Sequence, residues 1–91
     1  MVVGSTIENG AYGRRRAKVK NHLRGNWVQS QADIRAGGGA IITKAFDLAR
    51  VAPAKRNEVL KEIKARPDIY QAGSLEDNIE MLTVTLMVHG R

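Results

Sequence analysis

Apolar residues recur at the spacing of a helix face in the second half of the chain. Between Ala40 and Ala52 they stand four, three and four residues apart, at Ile41, Ala45, Leu48 and Ala52. This period predicts an amphipathic helix with one broad apolar side. The pattern therefore points to a helical architecture for this part of the chain.

A second helix is predicted after Pro53, because proline suits the first position of a helix. Its buried side would carry Leu60 and Ile63. The helix should end by Arg66, because the proline that follows disfavours helical geometry in the residue before it. Residues 68–73 are then expected to form a linker with two apolar anchors.

Ser74 is expected to open a last helix, because its hydroxyl can accept a hydrogen bond from the backbone N–H of Asp77. The apolar residues that follow repeat at helical spacing, at Leu75, Ile79, Leu82 and Leu86. Residues 81–88 also alternate in the manner of a strand rich in branched side chains. Helix is favoured, because the chain has no second alternating run with which a lone strand would pair.

The first 39 residues differ in composition from the rest. They hold seven of the nine glycines, and seven basic against two acidic side chains, although the whole chain of 91 residues has a net charge of +6. Three consecutive glycines at 37–39 predict a helix stop or linker. The expected fold is all-α: a basic, partly disordered arm over residues 1–39, then a helical partner-binding region over residues 40–91 with two or three short helices.

The composition excludes several classes of function. The chain has no cysteine and two distant histidines, so we expect no metal, cofactor or thiol nucleophile. Its carboxylates fall at predicted solvent-facing helix positions, and we expect neither an enzyme nor a small-molecule substrate. No apolar run approaches the roughly 20 residues that span a bilayer, and no secretory signal is evident. A cytoplasmic protein without membrane contact is expected.

A basic cluster in the first segment is the strongest local signal. Five cations fall within seven residues: Arg14, Arg15, Arg16, Lys18 and Lys20. Such a cluster neutralises phosphates and releases counterions, and the nearby Tyr12 and Trp27 offer aromatic rings for stacking on bases. The alternative is a solvated basic arm with only non-specific affinity for nucleic acid.

Residues 52–64 resemble the flagellar anti-sigma factors. An Ala-Pro pair is followed by Arg56, then by the aliphatic residues Leu60 and Ile63, and then by Lys64. Residues 42–45 are similar to the start of the preceding helix in that family. The pair Pro67 and Tyr70, and the helix positions of Ile79 and Leu82, are similar to the family's downstream region. The resemblance spans residues 41–86.

The resemblance implies a non-enzymatic regulator that binds the flagellar sigma factor and represses flagellar transcription. Its partner-binding residues would be Arg56, Leu60, Ile63, Lys64, Tyr70, Ile79 and Leu82. The same apolar residues would equally build the core of a free-standing helical domain. Two alternatives remain open: a small basic nucleic-acid-binding protein of a ribonucleoprotein or phage assembly, and a structural subunit that self-assembles through its helices.

Overall fold

A computed structural model describes the backbone of residues 2–91 and the side chains of residues 10–91. The side chains of the first nine positions of the predicted arm lie outside this range. The helices in chain order are α1 (Val2–Gly25), α2 (Trp27–Ala36), α3 (Ala40–Ala49), α4 (Arg56–Ala65), α5 (Pro67–Tyr70) and α6 (Leu75–His89). No strand occurs in the part of the chain that the structure describes. The predicted all-α class is confirmed.

The glycine triplet connects α2 to α3 in a tight turn. Gly37 ends α2 in the left-handed conformation, with φ at 87°. Its backbone N–H donates to the carbonyl of Ile34, and the N–H of Gly38 donates to that of Asp33. A Cβ on Gly39 would collide with the carboxylate of Asp33. That carboxylate accepts the backbone N–H groups of Ile41 and Ile42 at 2.9 and 3.2 Å, and so caps α3. The helix stop predicted at these glycines is confirmed.

The second half follows its apolar pattern closely. Pro53 starts a 3₁₀ turn that leads into α4, and α4 ends one residue before Arg66. Residues 67–70 form the short helix α5 rather than the start of a linker, so the linker prediction is wrong there. The region 81–88 is helical, and Ser74 caps α6 by accepting the N–H of Asp77 at 3.1 Å.

Helices also form in the first half, and this corrects the prediction that confined them to the second. Helices α1 and α2 occupy the predicted partly disordered arm as far as Ala36, with a turn at Asn26 between them. Val19 and Leu23 lie one turn apart on α1 and are fully buried, because α1 packs against α3 and α6. These two residues and Ile34 of α2 join one continuous core with α3, α4, α5 and α6.

None of the helices in the described part of the chain is both long enough and apolar enough to cross a bilayer.

Candidate functional site

The helical period of α1 divides the predicted basic cluster between two sides of the helix. Arg16, Lys20 and Arg24 follow one another at intervals of four residues and face α6. Glu80 of α6 pairs with both Arg16 and Lys20, the latter at 2.9 Å between Nζ and Oε1. Two of the five predicted nucleic-acid contacts are therefore held in ion pairs within the chain.

The α1–α6 contact continues one turn further along both helices. Arg24 donates to both carboxylate oxygens of Glu76, from Nε at 3.0 Å and from Nη2 at 2.8 Å. These hydrogen bonds and the charge of Arg24 lower the pKa of the Glu76 carboxyl below its ordinary value. The same contacts raise the pKa of Arg24. This pair is exposed, so it orients the helices more than it stabilises them.

The other side of α1 carries the remaining three cations of the cluster. Arg14, Arg15 and Lys18 line a cleft of about 400 Å³ between α1 and the end of α3. Ala11, Asp47, Leu48 and Arg50 complete its lining. Residues 14 and 18 lie one helical turn apart and residue 15 lies beside them, so the helix presents all three on one side.

Arg50 joins this cleft because the chain turns sharply after α3. Its φ of 64° is the single positive value among the non-glycine residues that the structure describes. In this left-handed conformation the backbone N–H of Arg50 donates to the carbonyl of Asp47, and the N–H of Val51 donates to that of Phe46, which closes the helix. No sequence pattern predicted Arg50 as a site residue, and only this turn brings it towards α1.

The cleft has an excess of positive charge. Its one lining carboxylate, Asp47, accepts a hydrogen bond from Arg56 at 2.8 Å and is already partly neutralised. Arg15 lies over the ring of Tyr12, 5.8 Å from its centroid, and its Nε is buried without a hydrogen-bond partner among the described residues. Four cations around one concave surface attract anions, although only Arg15 among them is partly buried.

The apolar residues predicted to bind a protein partner lie in the core. Leu60, Ile63, Tyr70, Ile79 and Leu82 are each at most 5% exposed. The structure brings them together as parts of one cluster rather than on a surface. Tyr70 also forms a hydrogen bond between its hydroxyl and that of Thr85, at 2.8 Å, which ties α5 to α6.

The two predicted polar contacts differ in their surroundings. Arg56 is engaged within the chain: besides its bond to Asp47 it donates to the carbonyl of Val51 at 3.0 Å and lies over the ring of Phe46. Lys64 is exposed at the edge of a small surface cleft near Gly37. The predicted aromatic contacts, Tyr12 and Trp27, are half-buried and pack against the core.

Within residues 10–91, no group of three or more histidine, aspartate or glutamate side chains is placed to hold a metal ion. No family model, no curated protein and no solved structure matches the chain. The resemblance of residues 41–86 to the flagellar anti-sigma factors remains a prediction from the sequence.

Proposed function

We propose that this protein is a small, non-enzymatic, cytoplasmic nucleic-acid-binding protein whose basic cleft holds the phosphate backbone. The observation that carries the proposal is the convergence of Arg14, Arg15, Lys18 and Arg50 around one cleft. Arginine and lysine side chains supply most of the phosphate contacts in protein–nucleic acid complexes. A concave arrangement suits a strand that passes through it, whereas a flexible arm would have no fixed geometry.

The residues of the cleft favour contact with the phosphate backbone of a nucleic acid over recognition of its bases. Four of its five charged groups are cations that match phosphate oxygens, the fifth being Asp47, and the nearby Tyr12 ring is covered by Arg15. Binding through phosphates alone is sequence-tolerant and falls steeply with salt, because each neutralised phosphate releases a counterion. We therefore expect affinity for nucleic acids of many sequences, with a strong dependence on ionic strength.

The test is the salt dependence of binding to a fluorescently labelled duplex and to a labelled single strand, measured by anisotropy. Replacing Arg14, Arg15 and Lys18 together by glutamine should weaken binding and reduce the slope of log K against log salt by about one unit per cation. A matched control replaces Lys55, Lys61 and Lys64, which are exposed outside the cleft, and so removes the same charge. Equal losses for the two triple variants would refute a role for the cleft.

A second candidate is a regulator of the anti-sigma type that binds a larger protein. Apart from the resemblance, its support is a set of exposed large apolar side chains: Val28, Leu75, Met81, Val84 and Val88. Partner contact through the buried residues Leu60, Ile63, Tyr70, Ile79 and Leu82 would require α4 and α6 to separate from the rest of the core.

Calorimetric titration of the full chain with a flagellar sigma factor tests this candidate, together with hydrogen exchange of the backbone amides in the mixture. Binding accompanied by faster amide exchange in α4 and α6 would support a regulator that opens. The absence of binding at micromolar concentrations would exclude it. The two candidates are distinguished by the cleft triple variant, which should affect only nucleic-acid binding.

A further inference from the structure

Helix α6 carries a continuous apolar stripe on the side that faces away from the core. Met81, Val84 and Val88 occupy helical positions i, i+3 and i+7 and are 41%, 36% and 49% exposed. The opposite side of α6 contains the fully buried Ile79 and Leu82. Single exposed apolar residues are ordinary, but three in line on one helix form a surface suited to another helix.

Residues of opposite charge lie at the two ends of the stripe. Asp77 lies one turn before Met81 on α6, and Arg91 follows Val88 by three residues, just past the end of the helix. Both side chains are exposed, and within residues 10–91 neither takes part in an ion pair. Each is seven residues from Val84, so the two charges lie on opposite sides of the centre of the stripe. Asp77 lies about 10.5 Å away along α6, and Arg91 lies two residues past the end of the helix at His89.

We propose that this α6 stripe binds the same stripe of a second copy of the chain, with the two helices antiparallel and the two-fold axis beside Val84. In that register Asp77 of each copy faces Arg91 of the partner subunit, and the pair occurs twice. Met81 packs near Val88 of the partner subunit, and Val84 meets its own counterpart. A contact of this kind is self-complementary, as two-fold symmetry requires.

The charges select this orientation over the alternative. A parallel pairing would place Asp77 beside Asp77 and Arg91 beside Arg91, and like charges in contact disfavour association. The charge pattern therefore identifies the occupant as a chain with the reverse order of charges along an equivalent apolar stripe. A second copy of this chain, in the antiparallel direction, meets that requirement at both charged positions.

The size of the stripe sets the strength of the association. Three partly exposed side chains per copy bury much less than the roughly 1,200 Å² at which stable interfaces begin. The dimer is therefore weak and dependent on concentration. Its formation needs no ordering of α6, because the opposite side of the helix is already anchored in the core, and this limits the entropic cost.

The first test is sedimentation equilibrium of the full chain over a range of concentrations. Val84→Glu places two carboxylates against each other at the axis and should raise the dissociation constant about tenfold or more. Val28→Glu makes the same chemical change at an apolar residue of α2 that is 82% exposed and lies outside the stripe, and should leave the constant unchanged. Circular dichroism of both variants at low concentration verifies that the fold is intact.

The second test concerns direction. Asp77→Lys and Arg91→Glu should each weaken the dimer, and the double variant should restore it, because the charges are exchanged but remain complementary. The chain has no cysteine, so Val84→Cys supplies one thiol that faces its own counterpart across the axis. It should form a disulfide-linked dimer faster than Thr43→Cys, an exposed control on α3.

A chain that stays monomeric at every concentration overturns the proposal and leaves the stripe to a different protein. If the chain self-associates and Val84→Glu leaves the dissociation constant unchanged, the interface lies elsewhere. A dimer that the double charge exchange fails to restore contradicts the antiparallel register.

Discussion

Gly90 follows α6 at a point where the chain passes against the end of α3. A Cβ at this position would overlap the carbonyl oxygen of Ala49. Its φ of −86° is open to every residue, so the requirement for glycine is one of space alone. We expect Gly90→Ala to lower the free energy of unfolding by about 1–3 kcal/mol, because the two helix ends must move apart. Urea denaturation measures the change.

Gly13→Ala is the control for this prediction. Gly13 lies inside α1, where an added Cβ meets no atom within 4 Å. Alanine there should raise stability by about 0.5–1 kcal/mol, because glycine loses more backbone entropy on folding. If both alanine variants shifted stability in the same direction, the close contact at Gly90 would have no energetic role.

The capping of α3 by Asp33 can be tested by substitution. It is 7% exposed, and its carboxylate accepts hydrogen bonds from the first backbone N–H groups of α3 and from Gln29. We expect Asp33→Ala to cost about 1–2 kcal/mol, the usual range for loss of a helix cap. Asp33→Asn keeps one acceptor oxygen and should cost less. Thermal unfolding of the two variants beside Glu58→Ala, an exposed carboxylate outside the ion pairs of the described residues, distinguishes capping from a general effect of charge.

At the scale of elements, α1 and α6 are held in register by a row of ion pairs above a shared apolar contact. Arg24 lowers the pKa of the Glu76 carboxyl, so the contribution of this pair to stability is present above the ordinary glutamate pKa. It is lost as the pH falls through the lower pKa of the folded state. NMR titration of the Glu76 side chain should show a midpoint that rises in Arg24→Gln. An unchanged midpoint would mean that the pair does not persist in solution.

A helix could be predicted from the sequence where its own apolar residues recur at helical spacing. Helices α3, α4 and α6 each have apolar residues enough to define a face, and all three were predicted from that spacing. Helix α1 has only Val19 and Leu23 on its buried side within the described part, and its burial depends on α3 and α6. Its packing therefore required contacts between residues distant in sequence, which no local pattern contains.

The candidate site was predictable to a similar extent and for the same reason. The basic cluster was evident, but its division into two sides depends on where the carboxylates of α6 lie. Glu80 is 60 positions or more from Arg16 and Lys20 in the chain, so spacing alone gave no indication of the pairing. Arg50 entered the cleft through a left-handed turn at a residue type that rarely adopts one.

For the whole molecule, the central question is whether the first 39 residues are an arm or part of the fold. Val19, Leu23 and Ile34 are each at most 2% exposed and lie in the common core. Full burial of one aliphatic side chain contributes about 1.5–3 kcal/mol, and three of them together contribute roughly 5–9 kcal/mol. That amount is comparable to the whole net stability of a small domain, which is about 5–15 kcal/mol.

We therefore expect the segment 40–91 to lose its cooperative unfolding when it is produced without the first 39 residues. Circular dichroism should show reduced helicity and a broad thermal transition, whereas the full chain melts cooperatively as a folded unit. The matched control is the full chain with Arg14, Arg15 and Lys18 changed to glutamine, which removes charge but retains the core residues and should melt like the parent.

The same experiment distinguishes a regulator that becomes ordered on its partner from a chain that folds alone. A regulator that becomes ordered only on its partner needs helices that are marginal alone, because isolated helices of this length gain too little from local contacts. A cooperatively melting full chain would instead present its basic cleft ready-formed to nucleic acid. If the segment 40–91 keeps the helicity and the cooperative transition of the full chain, α1 and α2 are dispensable for the core, and the burial of Val19, Leu23 and Ile34 contributes much less than roughly 5–9 kcal/mol.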